Sequence, residues 1–116
     1  MITFSQLEAI TGGKIIQQVT DPTVKSLAID SRKINSPEGV LFFAIAGQRH
    51  NAHHHLQEVY QKGVRLLVVE EMIKGKDYPE ANILHVSSAI HALQEVARNH
   101  RQQFKLKTIA ITGSNG

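Results

Sequence analysis

The chain has 116 residues, 41% of them hydrophobic and 20% charged, with a formal charge of +3 and no cysteine. That suffices for one domain with its own core, and it excludes disulfides, thiolate metal sites and extensive disorder. No apolar stretch approaches the roughly 20 residues of a membrane-spanning helix, and the N-terminus lacks a basic start followed by an apolar block. A cytoplasmic protein without a membrane partner is therefore expected.

The basic residues are scattered. Their densest group, Arg98, Arg101, Lys105 and Lys107, holds a single aromatic, Phe104, and the chain has only two Tyr and four Phe. Stacking platforms for nucleic acid need more, so a solvated basic surface is the better reading and no nucleic-acid partner is expected.

Thr3-x-x-Gln6 has the form of a capping box, and Phe4, Leu7 and Ile10 follow at helical spacing until Gly12-Gly13 stops the helix. "KIIQQV" reads as a strand, and Asp21-Pro22 marks a turn. "VKSLAIDSR" sets Val24, Ser26 and Ala28 against Leu27 and Ile29, a strand that ends in a polar cluster. "VLFFAIAG" is the most apolar run in the chain and suggests a strand buried on both faces. From His53 to Lys62 the pattern turns helical, with Leu56, Val59 and Tyr60 on one side and Gly63 at the C-cap. "VRLLVVEE" is a second doubly buried strand, "KGKDYPEAN" a loop and "ILHVS" a short strand. Ser87 or Ser88 then caps a long helix in which Ile90, Leu93, Ala97 and Phe104 keep the helical spacing. "RQQFKLK" reads as a polar linker and Thr108–Ile111 as a final strand. Alternating strands and helices predict an α/β layered domain.

Three groups of residues carry chemistry. In the closing "AITGSNG", a strand runs into a glycine loop, the first half of a phosphate-binding loop whose amides face phosphate oxygens. Its lysine and hydroxyl residue would come next, so truncation of a longer protein explains the motif better than a surface hairpin. Asp30-Ser31-Arg32 follows a strand and precedes a loop, where serine can donate to phosphate and arginine can fork onto a diphosphate; a capped turn with an exposed arginine is the competing structural reading. Among His50, His53, His54 and His55, the pair His50 and His54 has the i, i+4 spacing of helix-borne metal ligands, with Glu58 four residues on. His50 precedes the helix and no carboxylate sits close, so polar groups at a ligand-facing helix start read better than a metal site, and no metal is expected.

These segments together resemble the N-terminal domain of the Mur ligase family, ATP-dependent enzymes that add amino acids to the peptidoglycan precursor. The resemblance rests on Asp30-Ser31-Arg32, "GVLFFAIAG", "HLQEVYQKGVRLLVVE" and "TGSNG" in that order. It implies a small layered mixed sheet with flanking helices. It also implies a substrate domain over residues 1–103, and a linker, first strand and phosphate-loop start of a central ATPase domain over 104–116. Ile29, Ser31 and Arg32 would border the uridine diphosphate of a UDP-linked muramoyl peptide. Gln48, Arg49, His50, Asn51 and His53 would line the loop contacting it, and Gly113, Ser114, Asn115 and Gly116 would begin the ATP phosphate cradle.

Asn51-Ala52-His53 replaces the family's usual Asp-Gly-His, which puts the loop in doubt because alanine resists positive φ. The opening segment and Ser114 are more similar to members that add D-alanyl-D-alanine than to those adding the third residue, and "DSRKINSPEGVLFFAIAGQR" is similar to forms fused to alanine racemase. On this resemblance the full enzyme uses ATP and Mg2+ and passes through an acyl phosphate, a fused racemase would bring pyridoxal phosphate, and central and C-terminal ligase domains complete the machine. The 116-residue chain itself is expected to bind no cofactor and to be inactive. The competing function is a free-standing phosphate- or RNA-binding module.

Overall fold

The computed structural model describes residues 2–47 and 51–112, and the side chains among these up to residue 100. Thr3 opens a 3-10 turn, Phe4–Gln6, and the Gln6 side-chain oxygen accepts the Thr3 N–H at 2.9 Å, so the capping-box glutamine works as expected. Helix α1 (Leu7–Thr11) ends at Gly12, whose φ of 78° is the left-handed stop predicted for it.

The five strands are β1 (Lys14–Gln17), β2 (Ser26–Ala28), β3 (Val40–Phe43), β4 (Leu66–Val69) and β5 (Asn82–His85). They form one mixed sheet in the order β1-β5-β4-β3-β2. Strands β2 to β5 run parallel and β1 pairs antiparallel with β5. Every residue of β3 and β4 is buried, as the unbroken apolar runs demand.

Alternation along these strands sends side chains to two cores. Leu41, Phe43, Leu66, Val68 and Leu84 meet Phe4, Leu7, Ala89, Ala92 and Val96 on the face covered by α1 and α3 (Ala89–Thr112). Phe42, Leu67, Val69 and Ile83 meet Ala52, Leu56 and Val59 on the face covered by α2 (Leu56–Gln61). The result is the layered α/β domain that the alternation of elements predicts.

Two details differ from the sequence reading, and one alternative it left open is decided. The buried stripe of α3 is Ala89, Ala92 and Val96, while Ile90 is 51% exposed; small residues let the helix axis lie close to the sheet and turn Ile90 outward. Ser88 rather than Ser87 caps α3 through its hydroxyl, which accepts the His91 N–H at 3.2 Å, and Glu70 on the loop after β4 accepts the Ala89 N–H at 2.6 Å. Helix α3 also continues through Thr112, where a polar linker and the strand Thr108–Ile111 were expected. A strand must borrow its hydrogen bonds from a neighbour, whereas a helix satisfies its backbone within the segment. Phe104, expected on the helical stripe, lies beyond the described side chains.

Asn82 is fully buried, and a polar side chain at the head of an apolar strand needs partners there. Its Oδ1 accepts the Val19 and Thr20 N–H groups at 2.8 and 2.9 Å, and its Nδ2 donates to Thr20 Oγ1 at 3.1 Å and the Arg65 carbonyl at 3.2 Å. One amide therefore ties the chain leaving β1 to the chain entering β4. Asn82→Leu, similar in size but unable to pair, is expected to lower unfolding free energy by about 2–4 kcal/mol in urea denaturation, with an unchanged slope.

Candidate functional site

The carboxyl ends of β2 and β3 frame a cavity of about 480 Å³ lined by Ile29, Asp30, Ser31, Arg32, Phe42, Ala52, His55 and Glu58. A shallower groove of about 300 Å³ shares Ile29 and Asp30 with it and extends past Leu27, Ala28 and Lys33. Loops beyond the carboxyl ends of parallel strands are where α/β sheets bind ligands.

One wall grows directly out of β2. After Ala28, Asp30 caps the 3-10 turn Ser31–Lys33, accepting the Arg32 N–H at 2.9 Å. The same carboxylate takes a forked pair of hydrogen bonds from Arg32 Nε and Nη2, both at 3.1 Å. These bonds hold the Asp30 pKa down to about 2, with the Arg32 side-chain bond the largest cause, and raise that of Arg32. The guanidinium is oriented yet 85% exposed, so it can exchange a carboxylate for a phosphate without being drawn out of a core. Ser31 is buried and Ile29, at 52% exposure, presents an unusually open apolar surface beside it.

The opposite wall is the 3-10 turn Ala52–His55 and the first turn of α2, carrying His55 and Glu58 with His55 Nδ1 3.5 Å from Glu58 Oε1. Phe42 of β3 lies between the walls. The second wall is fastened from behind by His53, whose side chain is 3% exposed. Its Nε2 accepts the Glu70 and Glu71 N–H groups at 2.9 and 3.1 Å, so Nδ1 carries the proton and donates to Asn51 Oδ1 at 2.7 Å. Asn51 Oδ1 also accepts the His53 N–H at 2.9 Å, and Asn51 Nδ2 donates to Glu71 Oε2 at 2.6 Å. That last bond is one an aspartate at position 51 could not make. Ala52 needs no left-handed backbone, because no described non-glycine residue has positive φ.

Of the residues singled out in the sequence, the fold brings Ile29, Ser31 and Arg32 to the cavity. Asn51 and His53 stand behind its wall with their polar atoms engaged inside the protein. Gln48, Arg49 and His50 lie outside the described residues; the flanking Ala46 and Asn51 are bridged to each other, and Ala52 N–H donates to the Ile45 carbonyl at 3.0 Å. Gly113 to Gly116 likewise lie outside. The histidine group divides, with His53 buried, His54 exposed and His55 on the cavity. Among the described residues no three His, Asp or Glu side chains are placed to hold a metal ion, and no helix is long and apolar enough to cross a membrane. Phe42 and Glu58 were not legible as cavity residues, since Phe42 reads as core and Glu58 entered only as a carboxylate four residues after His54; His55 belongs to the histidine group read as polar groups at a ligand-facing helix start.

No protein-family model matches the chain. Among curated proteins it is 33% identical over 115 residues to the UDP-N-acetylmuramoyl-tripeptide–D-alanyl-D-alanine ligase of Escherichia coli, an alignment of 99% of this chain and 24% of the relative. It is 32% identical over 99 residues to the UDP-N-acetylmuramoyl-L-alanyl-D-glutamate–2,6-diaminopimelate ligase of Cytophaga hutchinsonii, covering 84% of this chain and 20% of that one. Among solved structures, MurF from Acinetobacter baumannii superposes with a TM-score of 0.68 at 29% identity, over 87% of this chain and 21% of its own. The chain thus spans roughly a fifth to a quarter of the length of these relatives.

Burial of His53 lowers its pKa from the ordinary value, outweighing the opposing attraction of Glu71 and Glu70. The folded chain therefore takes up this proton at lower pH than the unfolded chain does. The neutral clamp contributes in full above about pH 6.5 and weakens as pH falls from there toward the folded pKa. His53→Gln is expected to be less stable than the unmutated protein by about 1–3 kcal/mol near neutrality. Its melting temperature should also fall less between about pH 7.5 and about pH 5, as followed by circular dichroism.

Proposed function

We propose that this chain, whose homologues are Mur ligases, is the part of such a ligase that grips the nucleotide end of a UDP-muramoyl peptide. The observation that carries the reading is the cavity at the carboxyl ends of β2 and β3, with an exposed, carboxylate-oriented Arg32 beside buried Ser31. Its volume suits a small organic ligand. Ile29 and Phe42 offer apolar contact for a base, Arg32 matches a diphosphate in fork geometry, and Glu58 and His55 supply polar groups across the gap.

On this reading the whole enzyme joins D-alanyl-D-alanine to the UDP-linked tripeptide through an acyl phosphate formed at the expense of ATP. The D-Ala-D-Ala assignment follows the relative aligned along nearly the entire chain and the superposed MurF. This chain's residues bind and orient the substrate, which is where much of the rate of such a reaction originates. Residues 1–103 form the substrate domain. Residues 104–116 belong to the junction with the ATP-using domain, where a neighbouring sheet could give 108–111 the strand partner absent here. ATP and Mg2+ are held by that domain, and the enzyme works in the cytoplasm with neither nucleic acid nor membrane as partner.

Calorimetric titration tests the proposal. UDP should bind saturably at moderate salt while an RNA oligonucleotide loses affinity steeply as salt rises, and Arg32→Ala should weaken UDP about tenfold without changing the circular dichroism. Equal or tighter binding of RNA, or no binding of UDP, would overturn it. A coupled phosphate-release assay on the 116-residue chain should register no ATP turnover.

A further inference from the structure

The two walls of the cavity come from segments far apart in sequence, and the Lys62 side chain reaches from one to the other. Lys62, the C-cap residue of α2, donates from Nζ to the Ser31 carbonyl at 2.5 Å, while the same ammonium lies 3.8 Å from Glu58 Oε2. Ser31 begins the Arg32-bearing turn, and Glu58 lies one turn back along α2 on the opposite wall. Beside this link, the Pro37 ring lies where a β-carbon on Gly63 would meet its Cγ at 3.0 Å, so the chain leaving the Arg32 turn already packs closely on the end of α2.

We infer that Lys62 is a positioning residue for the cavity: its ammonium, shared between the Ser31 carbonyl and the Glu58 carboxylate, fixes the separation of the two walls. Lys62 is not among the lining residues, so it acts through Ser31 and Glu58 and not by touching the ligand. A lysine suits the task because its long stem spans the gap and its head carries several donors that can serve two acceptors at once. Without the ammonium the Ser31 carbonyl loses its donor. The Ser31–Lys33 turn is then held mainly by Asp30 through the Arg32 and Lys33 backbone amides, and the spacing that a bound nucleotide requires is no longer set in advance.

This inference rests on the reading of the cavity as a nucleotide site, and the test separates the two. UDP and uridine are titrated into the unmutated chain, Lys62→Met and Lys62→Arg. Lys62→Met is expected to bind both ligands more weakly, UDP by about tenfold, with unchanged circular dichroism and faster exchange of the Lys33 amide. Lys62→Arg should recover most of the affinity. Weakening of UDP by Lys62→Met that is as large in an Arg32→Ala background as in the unmutated chain would mean that Lys62 touches the diphosphate itself, and would overturn the positioning role. Unchanged affinity in Lys62→Met would remove Lys62 from the site and leave the nucleotide reading standing. Loss of folding in Lys62→Met would make the ammonium a general stabilising element, again against the inference. Failure of the unmutated chain to bind UDP would overturn both.

Discussion

Strands β3 and β4 are apolar on both faces, and this constraint organises everything else in the molecule. A sheet with two greasy faces must be covered twice, so α1 and α3 take one side and α2 the other. Polar side chains are then driven to the strand ends, where backbone amides and carbonyls still need partners. The candidate site sits at such an end, and the same hydrophobic demand that builds the core concentrates the useful chemistry there.

Glu70 shows how closely those ends are tied. Its backbone N–H donates to His53, its carbonyl lies 3.0 Å from His85 Nε2, and its carboxylate caps α3 at Ala89. Three elements from both sides of the sheet thus converge on the residue that follows β4. A carboxylate at a helix start is favoured by the helix dipole as well as by the hydrogen bond. His53 and Asn51 extend the arrangement to the wall of the cavity, so the turn Ala52–His55 that lines it is backed by a continuous hydrogen-bonded support.

Across the cavity the Asp30–Arg32 pair has a different character. Asp30 holds an exposed cation in a defined direction without burying it, so the guanidinium avoids the desolvation that makes interior pairs expensive. Such a pair contributes little to stability and much to orientation. The division between a rigid, buried back wall and an exposed, charged front suits the proposed recognition and release of an anionic ligand.

The apolar runs "VLFF" and "LLVV", the glycine stops at Gly12 and Gly63 and the capping box at Thr3 were legible because each is a local pattern with one favoured conformation. Asp30, Ser31 and Arg32 were legible as a polar cluster closing a strand, and Ile29 entered beside them only through the family resemblance. Tertiary structure alone decided that His53 turns inward while His55 faces the cavity, since adjacent residues of a helical turn differ only in which neighbours the fold presents to them. It likewise decided that Asn82 is buried, that Ala89, Ala92 and Val96 rather than Ile90 face the sheet, that residues 108–111 follow a helix, and that Lys62 reaches Ser31. Local propensity is written along the chain, but a hydrogen bond between residues 31 positions apart exists only once packing has brought both ends to the same place.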